Sequence, residues 1–464
     1  MKVHLIGIGG IGMSALAQIL LARGDAVSGS DSSDGPILKK MRAMGAEITL
    51  GHAAAHLNHP NLVVYSSAVA PHNPELIAAR NRGIPVISRG QMMARLVSGR
   101  RLVAVAGAHG KSTTTALIAQ LLLEAGMDPT VVLGAELDSM RGNARMGWGN
   151  WAVVESDESD GSFLWLKPAV AVITNLDEEH LDYFRNRGDI EKAYAAFSRR
   201  VIPGGTLIGC ADDPWLLQVL AQVSRRRLTY GLSAEASLRA SNIVLGPGYS
   251  RYRFVKGRKG IGEVELFIPG LHNVQNSLAV LAVAQVLKIS FSVVQAVFRK
   301  YRGARRRFEI HGEPGGVLVV EDYGHHPAEI QATLQAARMW KRRLRCVFQP
   351  HRYSRTRYLM DRMASSFHQA DEVILLPIYA ASEDPLEGAG IETLRDAIRA
   401  AGQRRVRISS PQRVLEELKS TSRKGDMVLF LGAGSVGDLA TKFVRGLTPK
   451  RRKGVRPQWV SNGS

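Results

Sequence analysis

The residue types best suited to chemistry sit between an apolar strand pattern over 101–106 and a helical pattern from Ser112: Gly107, Ala108, His109, Gly110, Lys111, Ser112 and Thr113. Backbone N–H groups at a glycine turn, backed by a helix N-terminus, make a cradle for phosphate oxygens. In such a loop Lys111 reaches the β- and γ-phosphates and the Ser112 hydroxyl ligates Mg²⁺. A full Walker pattern has a glycine five positions before Gly110, where Val105 stands. The loop is therefore a shortened one, and its strand-before, helix-after setting carries the reading.

Two acidic runs follow apolar strand patterns. Glu155 closes the strand over 152–155 and opens Glu-Ser-Asp-Glu-Ser-Asp; His180 ends a run that starts at Thr174, just past the strand over 170–174. Alone, each reads as a solvated loop. At corresponding strand ends, where the ligand crevice of an open α/β sheet lies, Glu155 and His180 complete a metal–phosphate site with Ser112.

Gly7, Gly9 and Gly12 form a GxGxxG after the first strand, and Asp31 follows Gly12 by 19 residues. That layout places a pyrophosphate on a helix N-terminus and a ribose hydroxyl on the acid, with the nucleotide unspecified. Gly432, Gly434 and Gly437 match the same expression, but no acid follows Asp438, so these read as a close strand–helix turn. In the last third, Glu321–Pro327 and Phe348–Arg357 each follow a strand and gather His, Tyr and Arg. The guanidinium fork suits carboxylate or phosphate, so the two clusters read as a polar substrate pocket.

The elements that position these groups repeat one idea, strands alternating with helices, which gives parallel sheets in α/β layers. The first stretch carries a strand over 3–6, a helix over 12–22 and strands over 26–30, 62–66 and 86–87. Between about 205 and 270 short glycine-punctuated strands predict a small antiparallel subregion, followed by a helix over 276–287. Strands over 317–320, 345–348, 372–376, 406–408 and 427–431 define the last stretch. A length of 464 residues fits about three domains. The boundaries fall at 1–98, 99–303 and 304–447, with a basic, disordered tail over 448–464.

Composition sets limits. The net charge is +20, with 45% hydrophobic and 22% charged residues, which suits a globular chain and excludes a disordered one. The excess charge, part of it in Lys450, Arg451, Arg452, Lys453 and Arg456, comes with only 6% aromatics and no ordered nucleic-acid motif. Cys210 and Cys346 are too few for a disulfide framework or a cysteine zinc site. No apolar run is clean enough to cross a membrane. The start imitates a secretion signal, but glycines at 7, 9, 10 and 12 mark folded structure, so a cytoplasmic protein without membrane insertion is expected.

Taken in order, the motifs resemble those of the Mur ligases, the ATP-dependent amide ligases of peptidoglycan synthesis. They are GIGGIGMSALA at 7–17, GAHGKSTTT at 107–115, ESDESDGSFL at 155–164, TNLDEEHLDYF at 174–184, PGLHNVQNSLA at 269–279, RRRFEIHG at 305–312, EDYGHHPAEI at 321–330 and FQPHRYSRTR at 348–357. The resemblance implies three α/β domains: an N-terminal Rossmann-like domain, a central P-loop-type ATPase domain and a C-terminal Rossmann-like domain. It implies that Gly7, Gly9, Gly10, Gly12 and Asp31 hold the UDP part of UDP-N-acetylmuramate. ATP falls to residues 107–113, with Asn276 near adenine, Arg306 near the phosphates, and Ser112, Glu155 and His180 on magnesium. Tyr323, His325, Arg352 and Arg355 match positions for the muramoyl carboxylate and incoming L-alanine.

The implied reaction transfers the γ-phosphoryl of ATP to the carboxylate, and the amine of L-alanine displaces phosphate. Lys111 and Arg306 would neutralise the transferring charge. Ala108 and Ser112 stand where the family usually has Thr, Glu179 replaces a common Asp, and Tyr301 a common Phe. Lys192 lies near the position of a lysine that is carbamylated in related ligases, and no modification is predicted for it. The rival readings are a recycling ligase that attaches a tripeptide to the same sugar nucleotide, a nicotinamide-dependent dehydrogenase, and a nucleic-acid-binding NTPase. The subunit number is left unspecified.

Overall fold

The computed structural model describes residues 1–180, 183–381 and 383–447. The basic segment 448–464, and Leu181 and Asp182 of the motif at 174–184, lie outside the described residues. The chain divides into two compact units, Met1–Arg307 and a second that begins at Phe308.

In the first unit, β1 (Lys2–Ile6), β2 (Ala26–Asp31), β3 (Glu47–Leu50), β4 (Leu62–Tyr65) and β5 (Val86–Ser88) pair in parallel in the order β3-β2-β1-β4-β5. The order reverses direction beside β1, so the glycine turn after β1 opens at the switch point, where such sheets take ligands. The helix Ile11–Ala22 is buried along Met13–Leu20, which fits its almost wholly apolar sequence.

The second sheet contains β6 (Arg101–Ala106), β7 (Thr130–Leu137), β8 (Gly142–Arg145), β9 (Trp151–Glu155), β10 (Val170–Ile173), β11 (Thr206–Cys210), β12 (Arg226–Gly231), β13 (Leu238–Gly246), β14 (Tyr249–Lys256) and β15 (Lys259–Leu266). Their order is β15-β14-β13-β12-β11-β10-β6-β9-β7-β8. The antiparallel subregion expected over 205–270 is narrower than the sequence suggests. β11 and β12 continue the parallel sheet, and only β13–β15 form an antiparallel meander. Glycine punctuation marks chain reversal but not strand direction, and β11 is buried throughout, as parallel strands are. One continuous apolar core joins the first two sheets.

The second unit holds β16 (Glu309–Gly312), β17 (Leu318–Asp322), β18 (Arg343–Phe348), β19 (Glu372–Leu375), β20 (Val406–Ile408) and β21 (Asp426–Leu431), in the order β16-β17-β21-β18-β19-β20. Met427, Leu429 and Leu431 enter one core and Val428 and Phe430 the other, so period 2 along β21 fills both faces. Only β16 runs antiparallel in this sheet.

A buried acid ties the first sheet together. Glu75, wholly buried, accepts hydrogen bonds from Ser30 Oγ at 2.5 Å and from His56 Nδ1 at 2.8 Å, and lies 3.4 Å from His4 Nε2. Burial raises its pKa, but the bonds from His4, Ser30 and His56 outweigh that and hold it at about 2. A depressed carboxylate stabilises the fold above its unfolded pKa, and that contribution disappears as pH falls through the folded value. Melts of the wild-type chain are therefore expected to lose about 3 kcal/mol between the unfolded Glu value and about pH 2 that a Glu75→Gln chain does not lose. Parallel acid profiles would contradict this.

Candidate functional site

The turn after β6 is built so that only glycine fits at its two ends. Gly107 has φ 129° and Gly110 φ 79°, both left-handed. A Cβ on Gly107 would lie 2.1 Å from Thr174 Oγ1, and one on Gly110 2.3 Å from Asn276 Oδ1. The segment after β10 straps the loop in place. His109 N donates to Asn175 Oδ1 at 2.8 Å, Thr174 Oγ1 donates to the His109 carbonyl at 2.6 Å, and Ala108 N donates to the Asn175 carbonyl at 3.1 Å. The helix Lys111–Glu124 starts on this rigid turn, so its N-terminal N–H groups face the loop's opening.

Lys111 folds over the turn. Its Nζ donates to the Gly107 carbonyl at 2.6 Å, the Ala108 carbonyl at 3.2 Å and Glu158 Oε1 at 2.6 Å. Burial opposes its charge, but Glu158 and Glu179 outweigh that and raise its pKa, so the ammonium persists at neutral pH. Ser112 Oγ donates to Glu155 Oε1 at 2.8 Å, and Gly134 N to Glu155 Oε2 at 2.7 Å. His180, at φ 56°, places Nε2 3.5 Å from Glu158 Oε1. Burial lowers its pKa, but Glu158 and Glu179 raise it further.

Ser112 and Glu155 thus meet as the sequence reading expected, whereas His180 turns toward Glu158. Glu158 is the candidate-site residue that reading left without a role. It lies in the same acidic run as Glu155, but the run does not reveal which carboxylate turns inward. Ligand atoms of Glu158, Glu179 and His180 fall within 4.8 Å of one another. Glu158 Oε2 is buried with no hydrogen-bond partner among the described residues. An unpartnered buried carboxylate oxygen amid hard oxygen donors and an imidazole fits a divalent cation.

Asn276 sits in the helix Leu271–Leu287, its Nδ2 donating to Asn273 Oδ1 at 3.1 Å and its amide packed on Gly110. Arg306 has φ 60° and is half-buried. Lys192 is exposed and lies 3.9 Å from Asp189. Tyr301 is buried, and its hydroxyl has no partner among the described residues. Restoring the usual Phe there removes that unsatisfied group, so Tyr301→Phe is expected to gain about 1 kcal/mol in denaturant melts, where a loss would point to a bond the hydroxyl does make.

At the first glycine turn, Gly7 has φ 80°, Gly7 N and Ile8 N both donate to the Ser30 carbonyl, and Gly10 caps the helix Ile11–Ala22. Asp31 Oδ2 accepts from Gly9 N at 2.8 Å, so this carboxylate braces the turn itself. Gly12 packs against the Arg89 side chain.

In the second unit, strand ends of β17, β18 and β21 bring their loops together. Tyr323 and His325 meet edge-on with ring centroids 5.4 Å apart, His325 lies 5.7 Å from His351, and His351 stacks on Tyr379 at 5.5 Å. Arg355 Nη1 lies 3.0 Å from His351 Nδ1, and Arg352, at φ 70°, lies 3.8 Å from Glu383. Tyr323, His325, Arg352 and Arg355 therefore share one cluster, to which His351, Tyr379 and Glu383 belong as well. Gly434 packs on Tyr379 and Gln349, and Gly437 on Glu321, as expected of a close strand–helix turn.

Three family profiles match the chain: "Mur ligase family, catalytic domain" over 2–101, "Mur ligase middle domain" over 105–284 and "Mur ligase, glutamate ligase domain" over 306–434. A UDP-N-acetylmuramate–L-alanine ligase of Anaeromyxobacter sp. strain Fw109-5 is 44% identical over 436 residues, 94% of this chain and 95% of that one. Its counterpart in Solibacter usitatus is 45% identical over 448 residues, 96% and 95% of the two chains. The crystal structure of a UDP-N-acetylmuramate–alanine ligase from Thermotoga maritima superposes with a TM-score of 0.83 at 29% identity, covering 96% of this chain and 99% of that one. A murein peptide ligase from Psychrobacter arcticus, at 24% identity and a TM-score of 0.72 over 97% and 99%, shares the fold.

Proposed function

The chain belongs to the Mur ligase family, and on that premise we infer that it joins L-alanine to the muramoyl carboxylate of UDP-N-acetylmuramate at the expense of ATP. The observation that carries this reading is the near full-length similarity, 44–45% identical, to relatives bearing that activity in their names. The three-domain α/β fold and ATP use follow from the family. The tripeptide ligase resembles this chain in fold alone, and a dehydrogenase has no use for Lys111 or Ser112.

A carboxylate resists attack by an amine because its leaving group is poor. Transfer of the γ-phosphoryl of ATP to it gives an acyl phosphate; the amine lone pair of L-alanine then attacks the carbonyl, phosphate leaves with the bonding pair, and the amine gives up a proton. With Ala108 N and His109 N held by Asn175, the N–H groups at the start of the helix Lys111–Glu124 bind the ATP phosphates, and Lys111 neutralises charge on the moving phosphoryl, with Arg306 assigned beside it. Magnesium would be held by Ser112, Glu155 and His180, with Glu158 and Glu179 close by. When bound it would supply charge neutralisation between phosphate oxygens. We assign the sugar nucleotide to Gly7, Gly9, Gly10, Gly12 and Asp31, and the muramoyl carboxylate and L-alanine to Tyr323, His325, Arg352 and Arg355. We assign the three domains to 1–98, 99–303 and 304–447.

Among the described residues no helix is long and apolar enough to cross a membrane. Dependence on ATP and the two free, buried cysteines suit the cytoplasm. We assign the chain no nucleic-acid partner. Phosphate release from ATP and magnesium, with UDP-N-acetylmuramate and one of L-alanine, glycine, L-serine or tripeptide, tests the reading. Release that needs the sugar nucleotide and L-alanine together supports it. Release with tripeptide alone moves the assignment to the recycling activity.

A further inference from the structure

Arg89 opens the helix Arg89–Leu96, where its charge opposes the helix dipole and where Ser88 and Gln91 already supply a complete capping box. Helix stability therefore does not explain it. Its Nη2 donates to Asp160 Oδ2 at 2.9 Å, Asp157 Oδ2 at 3.1 Å and Ser162 Oγ at 3.3 Å. These acceptors flank Glu158, the partner of Lys111. Two glycines make the approach possible. A Cβ on Gly90 would lie 2.7 Å from Ser162 Oγ and 3.0 Å from Ser162 Cα, and one on Gly12 would lie 3.1 Å from Arg89 Cδ. Within the loop, Ser159 N donates to Asp157 Oδ1 and Ser162 N to Asp160 Oδ1, so both carboxylates are fixed on two sides.

We propose that Arg89 is a positioning residue for phosphoryl transfer: it tethers the acidic loop 155–162 to the first sheet's glycine turn, and so sets where Glu155 and Glu158 stand against Ser112 and Lys111. The proposal rests on the ligase reading. Burial opposes the charge on Arg89, and Asp157 and Asp160 restore it. Burial opposes the charge on Asp157 as well, and Arg89 and the hydrogen bonds of Ser159 outweigh it. Without Arg89, Asp157 and Asp160 lose the cation they share, and the loop that carries Glu155 and Glu158 to Ser112 and Lys111 loses its hold on the first sheet. The loss falls on ATP and not on the amino acid.

The test measures phosphate-release kinetics and Mg·ADP binding for wild type, Arg89→Met, Arg89→Lys and Asp160→Asn. Hydrogen bonds to charged groups of this kind correspond to about a tenfold to hundredfold change. Arg89→Met is expected to raise the ATP KM and the Mg·ADP Kd by that factor and to leave the L-alanine KM unchanged. Arg89→Lys keeps a charge on a shorter stem in place of Nη2 and recovers part of the loss. The double variant Arg89→Met with Asp160→Asn should be no worse than Arg89→Met. Unchanged ATP parameters, or equal losses for ATP and L-alanine that lysine does not relieve, overturn the proposal. If Arg89→Met fails to fold, Asp160→Asn alone gives the same reading in smaller measure. A wild type that binds Mg·ADP but shows no L-alanine-dependent release instead sinks the ligase reading, and the Mg·ADP titration still judges Arg89.

Discussion

Replacing Lys111 by methionine is expected to lower kcat for phosphate release by about a thousandfold, the scale seen when a preorganised charge at a transferring group is removed. The methionine stem fills nearly the same volume, and the turn loses the two bonds from Nζ to its carbonyls but keeps its strap to Thr174 and Asn175. The ammonium, however, is what compensates buried Glu158 at 2.6 Å. Removing it strips buried Glu158 of its nearest cation and leaves His180 at 3.5 Å as the weaker partner, which costs about 3 kcal/mol. Two causes of inactivity, lost chemistry and lost stability, must then be separated. Adding Glu158→Gln removes the orphaned charge, so the double variant Lys111→Met with Glu158→Gln should recover the melting temperature while activity stays lost. Recovery of both would assign Lys111 a structural role only.

Gly107→Ala should abolish nucleotide binding by a different route. The added Cβ would meet Thr174 Oγ1 at 2.1 Å, and behind it the backbone nitrogens of Thr174 at 2.9 Å and Asn175 at 3.0 Å. A hydroxyl can rotate away, but these backbone nitrogens cannot. The φ of 129° adds strain for any residue with a side chain. Together, strain and overpacking come to about 3–5 kcal/mol. The turn must open, which breaks its strap to Thr174 and Asn175 and scatters the N–H groups that face the phosphates. Isothermal titration with Mg·ADP should show no binding at concentrations that saturate the wild type, with global unfolding shifted down by denaturant. Wild-type affinity in Gly107→Ala would mean the strap is not what shapes the loop.

How much of this was legible in the sequence depends on the range of the interaction. The phosphate turn is local: an apolar strand, two glycines and a helix start within 13 residues, and its placement holds from β6 to the helix Lys111–Glu124. The glycine at the first turn was equally legible. The bond from Gly9 N to Asp31 was not, because it depends on how the turn closes. Glu158 and Arg89 required the folded chain. Which acid of a run turns inward, and which arginine faces it from 68 residues away, is decided by packing between sheets. Strand β3 escaped notice because its residues are mostly exposed, so they carry no alternation of apolar and polar side chains. β7 and β8 form a hairpin broken by a register shift, which likewise blurs the period.

The most direct test supplies UDP-N-acetylmuramate labelled with ¹⁸O in its carboxylate, together with ATP, magnesium and L-alanine, and follows both products by mass spectrometry. The expected products are UDP-N-acetylmuramoyl-L-alanine and inorganic phosphate carrying one carboxylate oxygen, because that oxygen leaves with the phosphoryl group when the amine attacks. Unlabelled phosphate, or label found in AMP, would contradict an acyl phosphate formed at the Lys111 turn.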